Sequence, residues 1–182
     1  LSTVSWLFDG VIQHKDSLGF DQPIKPGELN WMTAGKGIVH SERSSAPDRM
    51  RDRQLYGIQS WVALPKQHEG TSPGFEHVGA ESLPLLTDAK RSVRVIAGGM
   101  FGEKSPVKTH SDLFYADVKL KPGGRLPLPV EHEERGIYIA SGSVEVSGDT
   151  FEAGRLLVFH HKDPIVISSA QGARFMMLGG EP

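Results

Sequence analysis

The chain has 182 residues, a formal net charge of −2 and no cysteine. That length suits one large domain or two small ones, and the missing cysteines exclude a disulfide scaffold, a thiolate metal site and a cysteine nucleophile. Composition is ordinary for a globular chain, at 38 % hydrophobic and 23 % charged, without the basic footprint that nucleic acid or an anionic membrane would select, without an apolar run of membrane-spanning length and without a visible signal peptide, so a cytoplasmic protein is expected.

Residues 1–14 alternate, with Val4, Trp6 and Phe8 on one face, and predict two strands joined as a hairpin at Asp9-Gly10. His14-Lys15-Asp16-Ser17 is polar, Gly19 marks a turn, and Ile24–Leu29 wraps a Pro26-Gly27 turn. Gly35 and Gly37 mark a tight turn or a close backbone approach, after which Ile38–Glu42 returns as a strand. Residues 43–54, with arginines at 43, 49, 51 and 53 balanced by Asp48 and Asp52, read as a solvated loop. Gly57–Leu64 is the next strand. Residues 65–90, broken by Pro65, Gly70, Pro73, Gly74 and Pro84, read as an excursion containing one extended piece, Phe75–Val78. Strands are then predicted over Val93–Ala97, Phe114–Val118, Arg135–Val146, Leu156–Phe159, Ile165–Ser168 and Arg174–Leu178. No stretch carries a convincing helical period, and short strands between close turn signals indicate an all-β sandwich or barrel.

The second half echoes the first. Gly136–Val146 parallels Thr3–Gln13, each a strand, a turn and a strand, and each leads to a further turn ending in glycine, at Gly27 and Gly154. Two copies of one β unit predict two tandem antiparallel β-barrels, with residues 1–104 forming the first and its connector and 105–182 the second.

In an extended strand, residues two apart share a side, so His40 and Glu42 present an imidazole and a carboxylate together, half of a metal site. Bare, the pair is a weak signal, since most such pairs are solvated. The second half offers His132, Glu133 and Glu134 as counterparts, set against a solvated or salt-bridged strand end and a metal-free barrel; His160 and His161 precede a Lys162-Asp163-Pro164 turn. His68, His77 and His110 read as surface histidines, and His14 as either near a barrel mouth or on the surface. Gly35-x-Gly37 lacks the strand–turn–helix context of a dinucleotide fingerprint, and no nucleophile elbow is present.

The surroundings of His40 say more. Pro26–Glu42 (PGELNWMTAGKGIVHSE), Thr3–Gly10, His14–Gly19, Gly57–Pro65, Arg94–Gly98 and Leu178–Pro182 together resemble the pirin family of the cupin superfamily, in order and across nearly the whole chain. The resemblance implies two barrels of the cupin (jelly-roll) type, cut at both ends, the second degenerate and metal-free. It also implies two further histidine ligands upstream of Leu1, completing a four-ligand set with His40 and Glu42. Histidines plus one carboxylate suit a divalent metal, Fe(II) foremost, with Mn, Ni, Cu or Zn as alternatives. Two functions follow from the resemblance. One is a flavonol (quercetin) 2,3-dioxygenase consuming O₂, with Glu42 as a ligand that becomes a base once displaced, in a cavity lined by Trp6, Phe8, Trp31 and Met32. The other is a regulatory protein whose metal state is read by a transcription factor or metabolic enzyme. One departure from the family is Tyr56, standing where pirins often carry His before the glycine, a change in the pocket wall.

Overall fold

The computed structural model describes residues 1–44, 49 and 54–182, and these form two compact units, Leu1–Ser82 and Leu83–Pro182. Both are built almost wholly of antiparallel strands. No helix among the described residues is long and apolar enough to cross a membrane.

The first unit contains β1 (Ser2–Asp9), β2 (Ile12–Asp16), β3 (Asp21–Ile24), β4 (Leu29–Thr33), β5 (His40–Ser44), β6 (Tyr56–Val62) and β7 (Gly74–Val78). They form two sheets, ordered β6-β1-β4-β7 and β3-β2-β5. The hairpin expected at Asp9-Gly10 is not formed: β1 pairs with β4 and β6, while β2 pairs with β3 and β5. Gly10 adopts φ +85° with its amide held by Asp9 Oδ1, and this corner takes the chain out of one sheet and into the other. The Pro26-Gly27 turn makes the return crossing. The Glu28 amide closes onto the Lys25 carbonyl, and Gly27 at φ +87° occupies the position after proline that a type II turn reserves for a left-handed residue. Crossing between sheets at successive turns is what curls the unit into a jelly-roll barrel.

Residues 65–90 are less of an excursion than their proline and glycine content predicts. β7 pairs with β4 and completes the larger sheet of the first unit. Arginines 51 and 53, with Asp48 and Asp52, lie outside the described residues.

The second unit contains β8 (Leu85–Thr87), β9 (Arg91–Met100), β10 (Glu103–Lys104), β11 (Leu113–Leu120), β12 (Gly124–Pro127), β13 (Glu134–Val146), β14 (Asp149–Glu152), β15 (Leu156–Phe159), β16 (Val166–Ser169) and β17 (Ala173–Gly180). The sheet runs β10-β9-β11-β17-β13-β16-β12, with β14 and β15 on β13 and β8 on β9. Segment 83–104 thus joins this unit, because β9 pairs along its length with β11. The strand–glycine–strand motif of the repeat is here one bent strand. β13 pairs with β15 up to Tyr138 and with β17 up to Gly142, slipping register against β17 between Ile139 and Ser141, and then pairs with β14 and β16. A Cβ on Gly142 would lie 2.3 Å from the Gly172 carbonyl oxygen, so only glycine makes this bend. Inward residues of these strands, including Val95, Phe114, Ile137, Ile139, Phe175 and Met177, close one apolar core.

Candidate metal centre

The site is built where the two sheets of the first barrel face each other. β5 lies antiparallel to β2, with His14 opposite Glu42 and Asp16 opposite His40. Directly paired residues on neighbouring strands share a face, so the four side chains lie on one side of this sheet. His40 is exposed, Glu42 is half-buried, and the His14 ring is fully buried.

Glu42 is braced from the opposite sheet. Gln59 on β6 donates through Nε2 to Glu42 Oε2 at 2.6 Å and to Ser5 Oγ at 2.9 Å, and the Ser5 hydroxyl donates to Glu42 Oε1 at 3.4 Å. Gln59 and Ser5 are register partners, and the same row continues through Asn30 on β4 to His77 on β7. Ser5 and Asn30 are each only 2 % exposed, an expensive place for polar side chains unless they are hydrogen-bonded or in use. His77 Nδ1 meets Asn30 Oδ1 at 2.7 Å and its Nε2 lies 3.8 Å from Glu28, so this half-buried histidine is a member of the polar row.

His14 is not at the surface: its ring is buried beside His40 and Glu42. Its ring stacks on Phe75 at 4.3 Å between centroids and on His40 at 5.8 Å. Nε2 lies 3.1 Å from Asp16 Oδ2, and Nδ1 lies 3.5 Å from Glu42 Oε1 without a hydrogen-bond partner. Asp16 in turn accepts the amides of Leu18 and Phe20 on Oδ1. Burial pushes the Asp16 carboxyl up, but the His14 hydrogen bond and these two amides outweigh it and hold the group below its ordinary range.

Of the four apolar residues expected to line the cavity, Met32 shares a face with Asn30 and pairs with Phe75. Trp6 and Trp31 lie on the opposite face of their strands, buried but turned away from Glu42, and Phe8 packs on Tyr56 at 5.0 Å. Among the residues missing from the sequence-based site, Asp16 left a trace: His14-x-Asp16 repeats the spacing of His40-x-Glu42 on the neighbouring strand. Ser5, Gln59 and Phe75 left none.

In the second unit, His132 packs on Phe114 at 5.0 Å with Nδ1 3.9 Å from Asp112, while Glu133 and Glu134 are exposed. The next residue, Arg135, is buried and donates to the backbone carbonyls of Pro129, Asp163 and His160. His160 and His161 are exposed at the turn.

Among the described residues no three His, Asp or Glu side chains converge as a metal's ligand set. His40 and Glu42 nevertheless fit one half of such a set: an accessible imidazole, and a carboxylate whose direction is set by a neutral amide and a hydroxyl. His14 does not supply a third ligand, because its ring is committed to Asp16 and stacked on Phe75.

Two antiparallel barrels of jelly-roll type, one after the other along the chain, define a bicupin. Residues 1–62 match the family model described as Pirin, and residues 115–182 the Pirin C-terminal cupin domain. A pirin-like protein of Caulobacter vibrioides is 44 % identical over all of this chain and 63 % of its own length. The crystal structure of a quercetin 2,3-dioxygenase from Acinetobacter baumannii superposes with a TM-score of 0.88 at 31 % identity, over the whole chain and 59 % of that structure. The fold likeness extends to the Escherichia coli pirin YhhW, solved in complex with nickel(II), at a TM-score of 0.79 and 21 % identity, covering the whole chain and 72 % of that structure. The chain belongs to the pirin family. It spans between 56 and 65 % of the length of the curated relatives it matches.

Proposed function

We propose that the first barrel is a metal-dependent dioxygenase centre acting on a flavonol-like substrate such as quercetin with O₂, and that His40 and Glu42 are two of its metal ligands. The observation that carries this reading is the convergence of His40 and Glu42 on one face of β5, with Glu42 held by Gln59 and Ser5. The two remaining ligands would be the histidines that the family resemblance sets ahead of Leu1. A divalent metal, Fe(II) foremost, would supply Lewis acidity and a template for a chelating substrate. Glu42 would be one of the residues holding the metal and would also be the base that takes a proton from the substrate hydroxyl. Gln59 and Ser5 keep its carboxylate directed, and Met32 and Phe75 supply apolar wall. The relative of known structure named as a quercetin 2,3-dioxygenase supports the substrate class.

Oxygen uptake by the iron-loaded whole protein with quercetin, measured beside its His40→Ala variant, tests the reading. Uptake that disappears in the variant is the expected result. Stoichiometric metal with no uptake overturns the enzyme and favours a regulator whose metal state is read by a protein partner. Unchanged metal content in both His40→Ala and Glu42→Ala overturns the ligand assignment.

A further inference from the structure

We infer that Asp16 and His14 form a positioning pair behind Glu42, fixing the direction of its carboxylate toward the metal; the inference rests on the metal-centre reading above. The His14 ring has no exposed surface and is held in plane by Phe75 on one side and His40 on the other. Asp16, its own side chain shielded from solvent, takes Nε2 at 3.1 Å and is itself pinned by the Leu18 and Phe20 amides. Ring and carboxylate are therefore both fixed before Glu42 is considered.

What remains is His14 Nδ1. It is buried, has no hydrogen-bond partner, and faces Glu42 Oε1 at 3.5 Å. A buried polar atom without a partner keeps its desolvation cost uncompensated, so a histidine serving only to fill the core would be poorly chosen here. The gap to Glu42 is a few tenths of an ångström beyond a hydrogen bond, and the other Glu42 oxygen is already fixed by Gln59 at 2.6 Å. A small rotation of the carboxylate about that anchor brings Oε1 within hydrogen-bond distance of Nδ1, which donates to it as Nε2 donates to Asp16, the ring carrying a proton on each nitrogen between the two carboxylates. The chain Asp16–His14–Glu42 then has the form of an outer-sphere triad, in which a fixed carboxylate orients an imidazole and the imidazole orients a ligand. The pair acts through Glu42 and does not itself touch substrate.

The test uses the whole protein, with Mn(II) alone as the probe. Affinity is read by titration, and the geometry at the metal by the electron paramagnetic resonance spectrum of bound Mn(II). His14→Phe preserves the stack on Phe75 and removes both ring nitrogens, Asp16→Asn weakens the anchor, and His14→Gln restores a side-chain donor. His14→Phe and Asp16→Asn should each weaken Mn(II) by about 10–100-fold, the range for lost outer-sphere partners, and change the spectrum. His14→Gln should recover part of both. Wild-type affinity and spectrum in a folded His14→Phe protein overturn the inference while leaving the metal centre intact. Should His14→Phe fail to fold, wild-type behaviour in both Asp16→Asn and His14→Gln overturns it equally. A wild-type protein that binds no Mn(II) overturns the metal-centre reading itself, and the positioning role with it.

Discussion

Gln59 and Glu42 belong to different sheets of the first barrel, yet the Gln59 amide nitrogen lies 2.6 Å from Glu42 Oε2. A neutral donor on a carboxylate in a half-buried site makes a charge-assisted hydrogen bond, shorter and stronger than a neutral pair. The same amide reaches Ser5, so one side chain ties the carboxylate to the middle of the opposite sheet. Removing it should free Glu42 without emptying the core. Gln59→Leu is expected to weaken divalent metal by about 10–100-fold, with the melting temperature of the metal-free protein little changed. Calorimetric titration of the whole protein with Ni(II) checks this, and equal affinities in both proteins would show that Gln59 does not orient the ligand.

Gly35 sits in the loop that leads from β4 toward β5. It has φ +51°, and a Cβ there would lie 2.1 Å from the Thr71 carbonyl oxygen, whose acceptor is used by the Lys36 amide. Gly35→Ala should cost about 1–3 kcal/mol from backbone strain, with the backbone clash adding to it. Gly70→Ala, where the added atom meets nothing within 4 Å, should stay within about 0.5 kcal/mol. Urea midpoints of the two variants, compared with the parent, test the contrast.

The core of the second barrel makes a sharper demand. Phe175 on β17 is fully buried among Val95, Phe114, Ile137 and their neighbours. Phe175→Ala should destabilise by about 3–5 kcal/mol, the transfer loss plus the cavity left behind. Val158→Ala, on a side chain 69 % exposed, should change stability by about 0.5 kcal/mol or less. Chemical denaturation followed by intrinsic fluorescence separates the two.

Asp88 gives a pH dependence of known sign. The Lys90 amide lowers it most, burial opposes that, and the side chain and amide of Arg91 add to the lowering, so the carboxyl is held below the ordinary 3.8. A depressed folded-state pKa means the unfolded chain takes up the proton first, so the contribution of Asp88 is fully present above 3.8 and is lost as pH falls through the lower folded value. Asp88→Asn should therefore differ from the parent at neutral pH and converge with it in acid below that window. The effect is small, because the group is largely solvated. Urea midpoints measured for both proteins from pH 6 down to pH 3 would show the convergence; a constant difference would refute it.

Much of this protein was legible one residue at a time. Strand alternation, the Pro26-Gly27 turn, the Gly35 close approach and the His40-x-Glu42 spacing follow from steric rules that act between near neighbours. The strand–glycine–strand pattern of Gly136–Val146 was visible for the same reason, though not that it is one bent strand whose bend at Gly142 lies against Gly172.

What only the tertiary structure decided lies between residues far apart in sequence. Asp9-Gly10 has the composition of a hairpin, but its two strands find better partners in separate sheets, so the turn becomes a corner. Ser5 and Gln59 meet across 54 residues, and each is unremarked in its own strand. His14 is polar in a polar stretch, yet β2 is covered by Phe75 from the opposite sheet and the ring is buried. Trp6 and Trp31, the most apolar candidates for a cavity, face away from it, because closure of the barrel chooses which side of each strand points inward. Local sequence sets which side chains share a face; register and sheet closure, which sum over the whole barrel, set what that face meets.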